Sequence, residues 1–177
     1  MLYIERIDSS EVSSQFLDEL RGLLLPAFGE DFSIEDWLHG LGGTHVCVRQ
    51  NGVLVSHAAV IKRQIFIEDQ TFRTGYVENM ATLIDHQSGG FGRAAILEAN
   101  KIIAENFELG ALSSSSNTFY EKFGWENWEG PSYVVTNGNW IRSESEDDSI
   151  MILRTSKSQG LDLRSRIACE ERLGDSW

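Results

Sequence analysis

Apolar residues recur at helical spacing between positions 11 and 25, at Val12, Phe16, Leu17, Leu20, Leu23 and Leu24. The pattern predicts an amphipathic helix that Pro26 ends. Ser33, followed three residues later by Asp36, reads as a capping pair for a short second helix. The period then changes. Positions 44–49 carry strand signals, Asn51-Gly52 marks a hairpin turn, and an extended apolar run goes from Val53 to Ile67. A turn at Glu68-Asp69-Gln70 leads into a strand from Gly75 to Leu83 that carries Glu78. The turn Gln87-Ser88-Gly89-Gly90-Phe91-Gly92 then opens a helical run from Arg93 to Ala104. Leu109–Ser113 reads as a short strand, 117–123 as a short helix, and 132–136, 150–154 and 165–171 as late strands. Helices first, then antiparallel strands, then a strand-loop-helix-strand unit and more strands predict a mixed α/β fold. One mostly antiparallel, twisted sheet is flanked by helices. No repeat or long linker interrupts the pattern, so residues 1–177 read as a single domain.

Composition changes this picture little. The 41% hydrophobic and 24% charged residues are ordinary for a globular protein with a sizeable core. No apolar run approaches the ~20 residues that span a membrane. The first residues lack the basic and apolar regions of a signal peptide, so a cytoplasmic chain with no membrane partner is expected. The net charge of -12 disfavours nucleic acid. It also suits the steering of a polycation to an acidic cleft, although an acidic surface serves solubility alone just as well. The run Glu144-Ser145-Glu146-Asp147-Asp148 reads as a solvated loop. Cys47 and Cys169 read as reduced thiols on strands, and the four histidines share no ligand spacing with them, so no metal is expected.

Chemistry concentrates between Gly75 and Ala104. A strand, a glycine-rich turn and a helix N-terminus together make an anion site, because bare main-chain N–H groups and the helix dipole converge there. A flexible loop opening an ordinary helix fits the glycines equally well. The spacing matches neither a P-loop nor a dinucleotide fingerprint. Gln87, Gly90 and Gly92 instead stand as Gln-x-x-Gly-x-Gly, which resembles the pyrophosphate motif of the GCN5-related N-acetyltransferases, enzymes that hold acetyl-coenzyme A.

The resemblance covers nearly the whole chain. Asp31–Trp37, Leu41–Val46, His57–Ile61, Gly75–Glu78, Leu109–Ser114, Tyr120–Trp125 and the ending Gly174-Asp175-Ser176-Trp177 are similar, in order, to segments of the aminoglycoside 2′-N-acetyltransferases. The resemblance implies that family's fold, with the fourth and fifth strands splaying to admit coenzyme A. It implies direct attack of an aminoglycoside 2′-amino group on the thioester and a role in antibiotic resistance. Kasugamycin is an alternative acceptor of the same class. Cys47 has no evident activating base, which disfavours an acetyl-enzyme.

By the same resemblance, Glu78 is the general base and Tyr120 the general acid, with the Trp177 carboxylate a second candidate base. Main-chain amides at Met80, Ala81 and Thr82 face the thioester and the pantetheine arm. Gln87, Ser88, Gly89, Gly90, Phe91, Gly92 and Arg93 cradle the pyrophosphate, and Asn117 joins the cofactor contacts. Asp31, Asp36, Glu78, Ser113, Asp175 and Trp177 meet the acceptor. A homodimer is implied, with strand 165–171 as a candidate edge.

Each residue also has a plainer role. Glu78 suits a salt bridge, Tyr120 a core aromatic, Asp36 a cap, Trp177 a hydrophobic plug, and His45 and His57 read as satisfied structural histidines. The segment Ser113–Tyr120 is shorter than its counterpart in the family, and Gln87-Ser88 stand where the family often has basic residues. Rival functions are an acetyltransferase for polyamines or protein N-termini, and a non-catalytic module that binds acyl-coenzyme A or an aminoglycoside.

Overall fold

Helix α1 (Ser14–Phe28) forms where the apolar period places it. Ser13 caps it by accepting the Phe16 N–H at 3.1 Å. Its buried face, Phe16, Leu20, Leu23 and Leu24, packs with Trp37, Cys47, Leu54 and Ala81. Pro26 lies inside this helix and does not end it. The lost N–H is confined to the last turn, and the helix stops at Gly29, whose φ of 76° breaks the helical path while its N–H closes on the Leu25 carbonyl. Helix α2 (Ile34–His39) carries the expected capping box in full: Ser33 Oγ accepts from Asp36 N at 3.0 Å, and Asp36 Oδ2 accepts from Ser33 N at 2.9 Å.

The computed structural model describes residues 1–177 as two compact units, each built from two stretches of chain: Met1–Ile61 with Val77–Lys101, and Lys62–Tyr76 with Ile102–Trp177. The strands that run through both, β3 (Val53–Ile67) and β4 (Gln70–Thr82), are unusually long. A strand and not a helix comes first. β1 (Leu2–Asp8) pairs antiparallel with β2 (Thr44–Gln50), which pairs antiparallel with β3. β1 escaped the sequence reading because it is an exposed edge with no apolar alternation. Helix α3 (Phe91–Asn106) is two residues longer at each end than its apolar run suggests.

In the second unit, β5 (Leu109–Ser113) runs parallel to β4, with Thr74, Gly75 and Tyr76 opposite Leu109, Gly110 and Ala111. β9 (Ile150–Arg154) pairs with β5, and the short β6 (Glu126–Asn127) pairs with β9. Helix α4 (Asn117–Glu121) ends two residues before the predicted limit. The predicted strands at 132–136 and 150–154 are observed as β7 (Ser132–Thr136) and β9. β8 (Asn139–Arg142) was not anticipated; it returns from β7 through Asn137-Gly138, both at positive φ.

The strand predicted at 165–171 is β10 (Ile167–Glu170), and it is no edge. It lies between β3, antiparallel, and β7, parallel. Its backbone is consumed on both sides, so it is not available as a dimer edge. The acidic run is also less free than expected. Asp147 accepts from Ser132 N at 3.1 Å and Ser132 Oγ at 2.8 Å, and pairs with Arg142. The Arg142 guanidinium holds the Asp147 carboxyl down at about 2. No helix is long and apolar enough to cross a membrane.

Candidate functional site

The first unit holds the acidic strand and the glycine turn. Glu78 is half-buried on β4. The next residue, Asn79, has φ 49° in the middle of the strand, a left-handed conformation that Asn tolerates better than most residues. This kink changes how the following residues are held. His57 Nδ1 donates to the Asn79 carbonyl at 2.8 Å, and Ser56 Oγ donates to the Ala81 carbonyl at 2.8 Å while sitting 2.8 Å from Thr82 Oγ1. Leu83 N donates to the Val55 carbonyl at 2.9 Å. Two successive side chains of β3 thus bond main-chain carbonyls of residues 79 and 81. Ala81 presents its carbonyl to β3, so the alternation of a strand turns the amides of Met80 and Thr82 to its opposite edge.

Beyond Leu83 a short turn, Ile84–His86, leads into the glycine loop. Ser88 has φ 62° and Gly90 φ 81°. Gly89 packs so closely that a Cβ there would sit 2.6 Å from the Phe91 ring and 3.1 Å from the His86 carbonyl. Glycine is needed at 90 for its conformation and at 89 for room. Ala94 N closes on the Gly90 carbonyl at 3.0 Å, so the N–H groups of Phe91, Gly92 and Arg93 head the helix with no helical carbonyl to meet. Gln87, Ser88, Gly89, Gly90 and Arg93 are exposed. A sixteen-residue helix headed this way suits a phosphate oxygen.

Asp31 lies in an exposed turn, Gly29–Asp31, just before α2. Asp36 is less available, because its Oδ2 is spent on the N-terminal cap of α2.

The second unit holds Tyr120. It is buried, flanked edge-to-face by Phe119 and by Trp125, and its hydroxyl bonds Ser114. Burial raises its pKa above the ordinary phenol value, with the Ser114 bond partly opposing it. The hydroxyl therefore stays protonated at neutral pH, as a proton donor must. Asn117 Nδ2 donates to Asn127 Oδ1 at 2.5 Å and the Asp148 carbonyl at 2.7 Å, while its Oδ1 is buried without a partner. Ser113 Oγ is taken up by Ser149 Oγ at 3.0 Å.

Trp177 is a core residue: it is 4% exposed, in a cluster with Ile65, Tyr76, Leu109 and Ile167. Its indole N–H donates to Ser143 Oγ at 3.3 Å, and its N–H to Asp175 Oδ1 at 3.1 Å. Arg172 Nη2 donates to a Trp177 main-chain oxygen at 3.1 Å. Arg63 Nη2 reaches the Ser176 carbonyl at 2.8 Å and lies over the Tyr76 ring. The sequence reading missed both arginines, since nothing local marks them.

Both cysteines are buried free thiols. Burial pushes both thiols up to about 12. Burial also lowers His45 to about 4 and His57 to about 3. Their folded values lie below the unfolded value near 6.5, so they contribute stability above that pH and lose it as pH falls. Urea unfolding midpoints are expected to drop measurably between pH 7 and pH 5, before most carboxylates titrate. A flat profile over that interval would show that these rings are not buried as neutral groups.

A family model described as an acetyltransferase (GNAT) domain matches residues 13–128. An aminoglycoside 2′-N-acetyltransferase of Mycolicibacterium fortuitum is 32% identical over 175 residues, which cover 97% of this chain and 90% of that protein. Among solved structures, a GNAT family N-acetyltransferase from Escherichia coli in complex with CoA superposes with a TM-score of 0.69 at 12% identity, covering 98% of this chain and 93% of that one. The ribosomal-protein-S18-alanine N-acetyltransferase of Escherichia coli gives 0.61 at 19% identity, covering 92% and 99%. At these identities the structures share the fold.

Proposed function

The chain belongs to the GNAT family of acetyltransferases, and from that premise we propose that it transfers an acetyl group from acetyl-coenzyme A to the 2′-amino group of an aminoglycoside. The fold and the use of acetyl-coenzyme A go with the family. The choice of acceptor rests on the 32% identical relative, which is similar over nearly the whole length of both chains. The observation that carries the chemistry is the left-handed Asn79 between Glu78 and the amides of Met80 and Thr82, on the strand that feeds the glycine turn.

Bound acetyl-coenzyme A supplies an activated acyl group, and the protein supplies everything else. The unpartnered amides heading α3 bind the pyrophosphate. The Met80 and Thr82 amides stabilise negative charge on the carbonyl oxygen. Glu78 takes the proton that the acceptor ammonium must lose before its nitrogen can attack, and Tyr120 gives a proton to the departing sulfur. With both thiols protonated and buried, transfer is direct. The exposed carboxylates of Asp31 and Asp175 are assigned to the acceptor's ammonium groups. Asp36 is reduced to its second oxygen, and the Trp177 indole is taken up by the core.

Release of free thiol is the test. Aminoglycosides with a 2′-amino group should release coenzyme A. Kasugamycin is included in the panel as an acceptor of the same class, whereas congeners with a 2′-hydroxyl, polyamines and peptide N-termini should not release coenzyme A, or far more slowly. Release with polyamines or peptides alone would move the protein to another acceptor class, and binding without release would make it a non-catalytic module. Tyr120→Phe should cost roughly tenfold in kcat with coenzyme A affinity unchanged, at the low end for a general acid because a thiolate leaves readily. An unchanged kcat would leave Tyr120 a packing residue.

A further inference from the structure

A chain of hydrogen bonds runs from the surface of the first unit to the Asn79 kink, and the acetyl-transfer chemistry above makes no use of it. Gly42 N and Gly43 N both donate to Ser9 Oγ, at 2.9 and 3.1 Å. Ser9 Oγ lies 2.9 Å from His45 Nε2, His45 Nδ1 lies 3.0 Å from His57 Nε2, and His57 Nδ1 lies 2.8 Å from the Asn79 carbonyl. Both histidines are fully buried.

The direction of every proton follows from its ends. A carbonyl only accepts, so His57 carries its proton on Nδ1. Its Nε2 must then accept, so His45 also carries its proton on Nδ1. His45 Nε2 accepts the one proton of the Ser9 hydroxyl, whose lone pairs take the two glycine N–H groups. Each link satisfies the next with both rings neutral, and both ends are fixed: the glycine N–H groups can only donate and the Asn79 carbonyl can only accept.

Asn79 is also held from its other side. A Cβ on Gly40, the residue that closes α2, would fall 1.9 Å from Asn79 Nδ2 and 2.7 Å from its Cγ. The side chain of Asn79 fills the space that glycine leaves. Its carbonyl is bonded by β3 and its side chain packs against the end of α2, in a conformation that strands seldom contain.

We propose that His57 is a positioning residue whose Nδ1–H holds the Asn79 carbonyl, and that Ser9 and His45 serve it by fixing the tautomer of its ring. The hold on that carbonyl sets the angle between the Glu78 carboxylate and the amides of Met80 and Thr82. The inference rests on the assignment of Glu78 and those amides to acetyl transfer. None of the three side chains touches substrate in this role.

Two isosteric changes separate positioning from packing. An asparagine amide nitrogen falls where His Nδ1 lies, so His57→Asn keeps the donor to Asn79 and drops the link to His45. The glutamine amide reaches the position of Nε2 and can turn its Oε1 there to accept from His45 Nδ1, so His57→Gln keeps the link toward His45 and releases the Asn79 carbonyl. Small misplacements of reacting groups cost up to about a hundredfold. His57→Gln should therefore lose roughly tenfold or more in kcat, His57→Asn should stay within about threefold of wild type, and KM for acetyl-coenzyme A should hardly move in either. Equal kcat values in the two variants would overturn the proposal. The wild-type protein gives a test that needs no variant: long-range proton–nitrogen spectra at pH 7 should show both rings neutral with Nδ1 protonated, and a proton on His57 Nε2 would refute the chain outright. A wild-type protein that releases no thiol would sink the acetyl-transfer reading instead, and the ring tautomers would still report on the chain.

Discussion

Glu78→Gln is expected to lower kcat by about a hundredfold or more at neutral pH, within the range for losing a general base. Glutamine keeps the shape of the side chain and most of its hydrogen-bonding capacity, so the half-buried position on β4 should remain filled. What it loses is the ability to take a proton. An aminoglycoside amine arrives largely as an ammonium, which has no lone pair for attack. The variant must wait for solvent to remove that proton, and the deficit should shrink as pH rises past the pKa of the amine. Steady-state thiol release from pH 6 to 9 measures this. A variant with full kcat at pH 7 would return Glu78 to a salt-bridge role. A deficit that does not change with pH would mean that Glu78 binds the acceptor without moving its proton.

Gly92→Val is expected to raise KM for acetyl-coenzyme A by roughly tenfold or more, which corresponds to about 1.4 kcal/mol of lost binding. Gly92 is the second residue of α3, half-buried, in the turn whose N–H groups have no helical partner. A branched side chain would stand between those groups and a phosphate oxygen. The prediction is sharp because the same change should not harm the fold. Valine is a better helix residue than glycine, so the melting temperature should hold or rise slightly. Coenzyme A titrated calorimetrically into the variant, beside its thermal denaturation, separates the two effects. An unchanged affinity would show that this helix end does not hold the pyrophosphate. A collapse in melting temperature would show that glycine is required at 92 for packing.

Local chemistry made the central part of the site legible. The glycine turn, the helix it opens and the strand carrying Glu78 were visible as one segment, because turn residues and hydrophobic period act within a few positions. The Ser33–Asp36 cap was legible for the same reason. It also leaves Asp36 less to offer a ligand than the family resemblance implies, since one of its carboxylate oxygens already accepts two hydrogen bonds in the capping box. The hairpin of β7 and β8 carried the same Asn-Gly signal as the hairpin of β2 and β3, but its flanking residues alternate weakly, and half-exposed strands leave little hydrophobic pattern to read. The plainer reading of Trp177 as a hydrophobic plug matches its burial, but the partners of Ser113 and Trp177 were not legible. A hydroxyl spent on Ser149 and an indole packed beside Tyr76 depend on residues far away along the chain.

The sequence by itself determined the α/β class, the capping box, the glycine turn and the family, because short-range sterics, capping and periodicity are written in neighbouring residues. Tertiary structure alone decided that β10 is an inner strand and that His45 meets His57. The second case shows the physical reason. Arg49 pairs with Leu54 but Val48 pairs with Ser56, so Val55 is an extra residue on β3. Counting straight back from the Asn51-Gly52 turn without it would set His45 opposite Ala58 and throw the two imidazoles onto opposite faces of the sheet. The bulge shifts the register by one, sets His45 opposite Ala59 and Cys47 opposite His57, and brings both rings onto one buried face. The position of one unpaired residue in a ladder follows from long-range packing, and no local pattern of apolar and polar residues encodes it.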